Sequence, residues 1–243
     1  MAALTSAPTQ APAQRRPLAV LFDLGGVFLD WDPRYLYRKL FGEDVAAMED
    51  FLANVCTPAW HSEQDRGQSI AEACAERRAK FPQYAELIDA WGERSEEMIN
   101  GVIDGSVQIF ADIKQAGVPC YALSNMEREN WERRYETYDF LRWFDGYFIS
   151  GLEGVIKPDP EYFELALERF KFEPQDVFFI DDRTENVDAA RTLGIPSVVF
   201  RSPETLRAEL VDRGLLAADR PLAQSGEGAS QDLLEDPGRR GEI

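Results

Sequence analysis

The chain has 243 residues, 44% of them hydrophobic and 29% charged, and it carries a formal net charge of −18. This length and composition predict a soluble globular protein whose core forms without disulfides or metal staples. The negative charge argues against nucleic acid and anionic membranes as partners, because both repel an acidic surface. No stretch is long and apolar enough to span a bilayer, and the start lacks the apolar h-region of a secretory signal.

Three cysteines, Cys56, Cys74 and Cys120, are widely spaced and odd in number. This pattern is typical of free thiols in a reducing compartment, so we expect a cytoplasmic protein. Residues 1–16 are rich in Ala, Pro, Thr and Gln, and residues 219–243 are rich in Gly, Ser and Asp. Neither segment shows hydrophobic periodicity, and both are predicted to be disordered tails, the second of them acidic.

Residues 17–29 predict a buried strand and its turn. An apolar run ends at the carboxylate of Asp23, and Gly25 and Gly26 follow almost at once. Strands of an open α/β sheet end at a crevice where ligands bind, and glycines let the backbone approach a ligand closely. Taken alone, Asp23 is most simply a residue that ends a strand at a turn.

Residues 33–103 show helical periodicity and are predicted to form an inserted, all-helical cap domain. Within it, residues 60–67 are polar and are predicted to form a loop, and Ser69 begins a capping box before the next helix. The flanking segments, 17–32 and 104–218, are predicted to form the core domain.

Strands and helices alternate after residue 104. The predicted helices lie within residues 107–115, 130–138, 160–170, 187–193 and 204–212. The predicted strands lie within residues 118–123, 146–150, 177–180 and 197–200. This alternation predicts an α/β fold with a doubly wound parallel sheet.

Polar residues follow three of the predicted strands: Asp23, the pair Ser124-Asn125, and the pair Asp181-Asp182. Between the last two pairs lies a fourth motif, Lys157-Pro158-Asp159-Pro160. Each motif alone is more simply a turn or a helix N-cap. Four such motifs in this order make coincidence a poor explanation.

These residue types suit phosphoryl transfer. A carboxylate such as Asp23 can attack phosphorus and form an aspartyl-phosphate. Asp23 and Asp182 together would repel a phosphate, so a hard divalent cation such as Mg²⁺ is needed to offset their charge. The hydroxyl of Ser124, the backbone amides beside it and the ammonium of Lys157 would bind the phosphoryl oxygens.

Four motifs carry a family resemblance over residues 17 to about 200: Phe22-Asp23-Leu24-Gly25-Gly26-Val27, Leu123-Ser124-Asn125, Lys157-Pro158-Asp159-Pro160, and Phe179-Ile180-Asp181-Asp182 followed by Asn186. On these motifs the sequence resembles the haloacid dehalogenase superfamily, specifically the hydrolases with a C1-type cap inserted after the first strand. The nearest branch holds the phosphatase domain of soluble epoxide hydrolase and the glucose-1-phosphate phosphatases.

The resemblance implies a role for each matching residue. Asp23 would be the nucleophile and Lys157 would organise the nucleophile and the phosphate. Phosphate binding would fall to Gly26, Ser124 and Asn125. The Mg²⁺ ligands would be Asp23, the backbone carbonyl of Gly25, Asp182 and Asp181.

One position departs from the family pattern. Most phosphatases of the superfamily carry a second Asp two residues after the nucleophile, as general acid and base, and this chain has Gly25 there. Losing such help costs about a hundredfold to ten-thousandfold. Three interpretations stay open: a substrate with a good leaving group, a weak or lost catalyst, or a proton supplied by another residue, the candidates being His61, Glu63, Asp65, Asp30 and Asp32.

For three of these candidates a simpler interpretation is available. His61, the one histidine of the chain, is most simply a solvent-exposed residue of the cap. Asp30 and Asp32 are most simply turn residues beside Pro33.

The sequence thus predicts a Mg²⁺-dependent phosphatase of a small phosphorylated metabolite, such as a sugar phosphate. The pair Asp181-Asp182 favours this function over a 2-haloacid dehalogenase, in which the same nucleophile attacks carbon without a metal. The retained charged residues favour it over a non-enzymatic binding protein. The cap would select the substrate, with Trp60 and Arg66 among the contacting residues. The oligomeric state stays open between monomer and homodimer.

Overall fold

The computed structural model describes residues 16–218, so the predicted tails, apart from Arg16, lie outside the described part of the chain. This part contains seven strands: β1 (Ala19–Phe22), β2 (Leu29–Trp31), β3 (Ile99–Val102), β4 (Cys120–Ser124), β5 (Gly146–Ile149), β6 (Val177–Asp181) and β7 (Ser197–Val199). Its α-helices are α1 (Arg34–Phe41), α2 (Val45–Asn54), α3 (Pro58–Asp65), α4 (Ile70–Lys80), α5 (Ala85–Glu93), α6 (Asp104–Gln115), α7 (Arg128–Thr137), α8 (Ser150–Glu153), α9 (Pro160–Phe170), α10 (Thr184–Thr192) and α11 (Pro203–Asp212).

Five parallel strands form the central sheet, in the spatial order β5-β4-β1-β6-β7. β1 is buried along its whole length. Val20 and Phe22 pack into an apolar cluster with α6, α7 and α11, whereas Ala19 and Leu21 pack into a second cluster with α9 and α10. Successive side chains of a strand point to opposite faces, so helices cover both faces of the sheet. The predicted doubly wound α/β fold is confirmed.

The order of the strands determines where a ligand can bind. β1 lies between β4 and β6, and Phe22 pairs with Ala122 on one side and with Ile180 on the other. The chain therefore leaves the sheet at nearly the same level in all three strands. Because the strand order reverses at β1, a crevice opens beyond its carboxyl end.

The helices α1 to α5 follow β2 and form a second layer, which we call the cap. The cap has its own apolar core, in which Tyr37 packs on Phe51 at a ring-centroid distance of 5.0 Å and Trp60 packs edge-on to Trp91 at 5.2 Å. Edge-on aromatic pairs of this kind add to the stabilisation from burial alone. The cap therefore packs as a unit of its own beyond the carboxyl end of the sheet.

Two features of this segment differ from the prediction. The segment 33–103 is not all-helical, because Ile99–Val102 forms β3 and pairs antiparallel with β2 at the base of the cap. A strand of four residues is too short to show a clear period in the sequence. The predicted loop 60–67 is largely helix α3, which begins where Thr57 accepts a hydrogen bond from the Trp60 N–H and Pro58 occupies the first turn.

The remaining features agree with the sequence. Ser69 accepts a hydrogen bond from the Glu72 N–H at the start of α4, as predicted. The three cysteines are buried and unpaired. Among residues 16–218, no helix has the length and apolar character needed to cross a membrane.

Candidate active site

A cavity of about 860 Å³ lies between the carboxyl ends of the strands and the cap. The core contributes charged and polar side chains to its wall, and the cap contributes both aromatic and titratable ones. Lining residues used below are Asp23, Ser124, Lys157 and Asp182 from the core, and His61, Asp65 and Trp91 from the cap.

Lys157 is the buried cation at the base of the cavity. Its ammonium lies 3.0 Å from Asp23 Oδ1 and 2.7 Å from Asp181 Oδ2, and it donates a hydrogen bond of 2.7 Å to the Leu123 carbonyl. An ammonium has three protons, so all three are engaged. Burial opposes the charge of Lys157, but the carboxylates of Asp181 and Asp23 raise its pKa overall, and it stays protonated.

Asp23 is a buried carboxylate at the end of β1. Its Oδ1 also accepts a hydrogen bond of 2.7 Å from the Leu24 N–H. Burial raises the pKa of Asp23 to about 7, with Asp181 and Asp182 adding to the rise and Lys157 opposing it. A further cation near Asp23 would therefore favour its ionised form.

Asp181 and Asp182 play different structural roles. Asp181 is fully buried, and its Oδ1 accepts from the Arg183 N–H at 2.9 Å and from the Asn186 amide at 3.0 Å. Asp182 lines the cavity, and its pKa is raised, first by burial and then by Asp181. Carboxylate oxygens of Asp23, Asp181 and Asp182 lie within 4.8 Å of one another. This all-oxygen set, in which the pKa values of Asp23 and Asp182 are raised, fits a hard divalent cation such as Mg²⁺.

Gly26 lies against Asp182. It has a φ of +68°, and a Cβ at this position would overlap the Asp182 carboxylate. Its N–H donates to the Leu29 carbonyl at 2.8 Å. The predicted phosphate contact through Gly26 therefore lacks its donor, because the turn uses that N–H. In contrast, a Cβ at Gly25 would meet no atom within 4 Å.

Ser124 and Asn125, at the carboxyl end of β4, have different structural roles. Ser124 is buried and lines the cavity, and its role as a phosphate ligand stays a prediction. The Asn125 side chain donates to the Lys157 carbonyl and accepts from the Lys157 N–H, both at 2.8 Å. The Asn125 side chain therefore holds the Lys157 backbone in place. Phosphate binding by the backbone amides at this pair stays a prediction.

Trp60 and Arg66 do not line the cavity, contrary to the prediction that they contact the substrate. Trp60 is buried in the cap, where its indole N–H donates to the Ala73 carbonyl at 3.4 Å. Arg66 forms an ion pair of 2.7 Å with Asp159, which precedes α9. Trp60 thus belongs to the apolar core of the cap, and Arg66 joins the cap to the core.

A second buried cluster lies on the cap side of the cavity. His61 Nε2 lies 2.9 Å from Glu127 Oε1 and 3.7 Å from Asp65 Oδ1, and the imidazole lies between the rings of Trp31 and Trp91. The expectation of a solvent-exposed His61 is wrong, because only a fifth of its side chain is exposed. Ligand atoms of His61, Asp65 and Glu127 lie within 4.8 Å of one another, so the cluster resembles a cation site in its spacing.

The charges of this cluster are strongly perturbed. Burial lowers the pKa of His61, but Asp65 and Glu127 outweigh it and raise the value to about 9. Burial raises the pKa of Asp65 to about 7, with His61 opposing the rise. Burial opposes the charge of Glu127, but His61 and Arg134 lower its pKa overall. His61 and Glu127 therefore form a charged pair, and burial favours the protonated form of Asp65 beside them.

Sequence reasoning missed Glu127. It lies three residues after Ser124 and is the N-cap residue of α7, a position at which a Glu is ordinarily exposed to solvent. Its Oε2 accepts from the Asn130 amide at 2.9 Å, so the carboxylate is held from both sides. Glu127 could have been found from the sequence only by asking which distant carboxylate pairs with the single histidine, His61.

The other three proton-donor candidates are either tied into a turn or lie outside the cavity wall. Asp32 lines the cavity but accepts from the Arg34 N–H at 2.8 Å, which confirms it as a turn residue. Asp30 accepts from the Tyr35 hydroxyl and the Asn100 amide, outside the cavity wall. Glu63 is exposed and does not line the cavity.

Comparison with known proteins places this geometry in a family. The chain is 25% identical over 183 residues to the sesquiterpene phosphatase astK of Aspergillus oryzae, covering 73% of this chain and 86% of that protein. It is 25% identical over 211 residues to the phosphorylated carbohydrates phosphatase of Thermotoga maritima, covering 84% of this chain and 94% of that one. Other relatives are matched over less of their length, 22% and 18% in two cases.

Among solved structures, the HAD family enzyme BT-2542 of Bacteroides thetaiotaomicron, in complex with magnesium and inorganic phosphate, is similar in fold. The TM-score is 0.59 at 21% identity, and the match covers 76% of this chain and 95% of that chain. The sequence profile of the haloacid dehalogenase-like hydrolases matches residues 17–194. Because this match includes both the strands that bear the acidic cluster and the cap inserted between them, the chain belongs to the haloacid dehalogenase-like hydrolases.

Proposed function

We propose that the protein is a Mg²⁺-dependent phosphatase that hydrolyses a small phosphomonoester through an aspartyl-phosphate intermediate. The observation that carries this proposal is the Lys157 ammonium between Asp23 and Asp181, with the carboxylate of Asp182 beside them. The arrangement combines a buried, oriented carboxylate with an acidic set of cation ligands at one end of a cavity. A phosphoryl group needs both a nucleophile and a site that offsets its charge.

Asp23 is the nucleophile in this proposal. Leu24 and Lys157 hold its Oδ1, which leaves Oδ2 to attack phosphorus. The attack splits hydrolysis into two steps with lower barriers. Lys157 fixes the direction of Asp23 and offsets negative charge as it develops, and the Ser124 hydroxyl on the cavity wall binds a phosphoryl oxygen.

Asp23, Asp182 and the backbone carbonyl of Gly25 would hold Mg²⁺. Asp181 would support these ligands without binding the cation directly, because its carboxylate oxygens already accept hydrogen bonds from Lys157 and Asn186. The cation would offset the repulsion between an acidic cavity and an anionic substrate. Gly26 supports the arrangement by leaving room for the Asp182 carboxylate.

The cavity suits a small phosphorylated metabolite with an apolar side. Its cap-side wall includes Trp31, Leu52, Cys56 and Trp91. Apolar walls of this kind bind carbon skeletons, while a few polar groups orient the ligand. Both a sugar phosphate and an isoprenoid monophosphate are consistent with this wall, and two relatives are named for phosphatases of such compounds.

Gly25 is the observation that favours a second candidate, a 2-haloacid dehalogenase. The same Asp23 would attack carbon and displace halide, a reaction that needs no acid at position 25. The Asp181-Asp182 pair favours the phosphatase over this alternative, because a metal-free dehalogenase has no use for the added negative charge.

Phosphate release with Mg²⁺ or with EDTA tests the proposal. The panel comprises sugar 1-phosphates, sugar 6-phosphates, acetyl phosphate, p-nitrophenyl phosphate and farnesyl monophosphate. We expect Asp23→Asn to lower Mg²⁺-dependent release by about a thousandfold or more. Glu63→Gln, at an exposed carboxylate outside the cavity, is the matched control and should keep full activity.

Two outcomes contradict the proposal. Halide release from 2-chloropropionate that needs Asp23 but not Mg²⁺ would establish the dehalogenase instead. No Asp23-dependent release from any ester or haloacid would leave a binding protein.

A further inference from the structure

The proposed phosphatase lacks a proton donor at position 25. The leaving oxygen of an alkyl ester needs a proton as the P–O bond breaks, and a positioned acid contributes about 10²–10⁴-fold to such a step. A Cβ at Gly25 would meet no atom within 4 Å, so neighbouring side chains do not fill the space. An acid on another helix or strand can therefore protonate the leaving oxygen in place of a side chain at position 25.

Asp65 has the properties that such an acid needs. It is the last residue of α3, it is 6% exposed, and it lines the same cavity as Asp23. Its Oδ1 is fully buried and has no hydrogen-bond partner among residues 16–218. Native proteins seldom leave a buried carboxyl oxygen without a partner, so an unpartnered one on a cavity wall indicates a partner that arrives with the substrate.

The charged neighbours of Asp65 surround it but form no hydrogen bond with its Oδ1. His61 Nε2 lies 2.9 Å from Glu127 but 3.7 Å from Asp65, so its proton is committed to Glu127. Arg134 is buried on the same wall and lowers the pKa of Glu127. A metal ion here would meet an imidazolium and a guanidinium at close range, which favours proton transfer over metal binding at this cluster.

The protonation of Asp65 agrees with this role. Its pKa of about 7 follows from burial, with Glu127 adding to the rise and with His61, Arg183 and Lys157 opposing it. A general acid that also returns as a general base works best when its pKa lies near the working pH. Asp65 lines the same cavity as Lys157, which contacts Asp23.

We propose that Asp65, delivered by the cap, is the general acid and base of the reaction, in place of a side chain at position 25. This inference rests on the proposed phosphatase function. As Asp23 Oδ2 bonds to phosphorus, the P–O bond to the leaving group breaks, and its electron pair takes the proton of Asp65 to give the free alcohol.

The ionised Asp65 then takes a proton from water. The water oxygen bonds to phosphorus, the bond between phosphorus and Asp23 breaks, and phosphate leaves with both carboxyl groups restored. His61 and Glu127 act as positioning residues, because their ion pair fixes the imidazole that lies beside Asp65.

The test compares leaving groups in wild type and Asp65→Asn. Asn has the shape of the protonated Asp, so the variant should fold, and thermal unfolding checks this. We expect kcat/KM for hexyl phosphate to fall about 10²–10⁴-fold. For p-nitrophenyl phosphate, whose leaving group needs no proton, kcat/KM should stay within about threefold, because it reports only the steps up to phosphoryl transfer. Glu63→Gln, on the same helix, should change neither value.

A rescue variant separates a chemical role from a structural one. Asp65→Asn combined with Gly25→Asp places a carboxyl in the open space at position 25, and it should recover at least about tenfold on hexyl phosphate. Equal losses on both substrates, or no loss on hexyl phosphate, would overturn the role of Asp65. If wild type shows no Asp23-dependent release on either substrate, the phosphatase proposal itself fails, and the inference fails with it.

Discussion

The cavity contains two buried clusters built on the same plan, a cation between two carboxyl groups. In the core cluster Lys157 lies between Asp23 and Asp181, and in the cap cluster His61 lies between Glu127 and Asp65. The difference lies in how completely the polar atoms are paired.

All three protons of Lys157 have acceptors, whereas Asp65 Oδ1 and Arg134 Nη2 have no hydrogen-bond partner among residues 16–218. A fully paired cluster holds its charges in fixed positions, and a partly paired one leaves a group that can exchange a proton or bind a ligand. The comparison thus assigns a fixed geometry to the core cluster and an adjustable one to the cap cluster.

Removing the cation of the core cluster should have the largest effect. Lys157→Met leaves two buried carboxylates without their partner, and we expect it to cost about 3–5 kcal/mol of unfolding free energy, together with loss of phosphatase activity. Urea denaturation measures the first and phosphate release the second. Lys39→Met, which breaks an exposed ion pair with Glu97, is the matched control and should leave stability near that of wild type. A stable Lys157→Met protein would refute the view of a fixed core cluster.

Gly26→Ala should have the next largest effect. The added methyl group overlaps the Asp182 carboxylate at a positive φ, and such strain costs about 1–3 kcal/mol. Displacing Asp182 should also raise the Mg²⁺ concentration needed for half-maximal activity by about tenfold or more. Gly25→Ala has open space around its methyl group and serves as the control. Similar results for the two variants would show that Asp182 is not confined by this turn.

The adjustable cluster can be followed through the imidazole NMR signals of His61, since the chain contains one histidine. We expect a pKa of about 9 in wild type. Glu127→Gln removes a carboxylate that raises it, so the value should fall by about one unit or more, with Asp65 still raising it and Arg134 lowering it. Glu132→Gln, at an exposed position of α7, should leave the pKa unchanged. An unshifted pKa in Glu127→Gln would contradict the charged pair.

The same pair has a consequence for stability. The pKa of His61 is raised in the folded state, so the stabilisation is fully present below about pH 6.5 and is lost as the pH rises through about 9. The difference in unfolding free energy between wild type and Glu127→Gln should therefore narrow over this range.

Arg66→Gln should have the smallest effect. The Arg66–Asp159 pair is about two-fifths exposed on each side, and such pairs contribute less than about 1 kcal/mol. We expect kcat/KM within about threefold of wild type, because Arg66 does not line the cavity. A tenfold rise in KM with an unchanged kcat would instead support the substrate contact predicted from the sequence.

The core cluster could be predicted from the sequence, and the cap cluster could not. Asp23, Ser124 and Asp181 follow apolar runs that read as buried strands, and parallel strands bring their carboxyl ends to one edge. Tertiary contacts between cap and core assemble the cap cluster, and no local pattern encodes them. The polar residues of α3 resembled a loop, which also hid that His61 and Asp65 share one helix face four residues apart.

The contact between Arg66 and Asp159 bears on how the cavity exchanges its contents. Asp65 lines the cavity, while its neighbour Arg66 reaches across to the loop that carries Lys157, two residues before Asp159. Any motion that lifts the end of α3 from the core must first separate this ion pair. Because the pair is exposed enough to be screened, added salt should quicken entry and release by at most about fivefold. Ionic strength would then change the rates of substrate entry and product release and leave the rate of the chemical step unchanged.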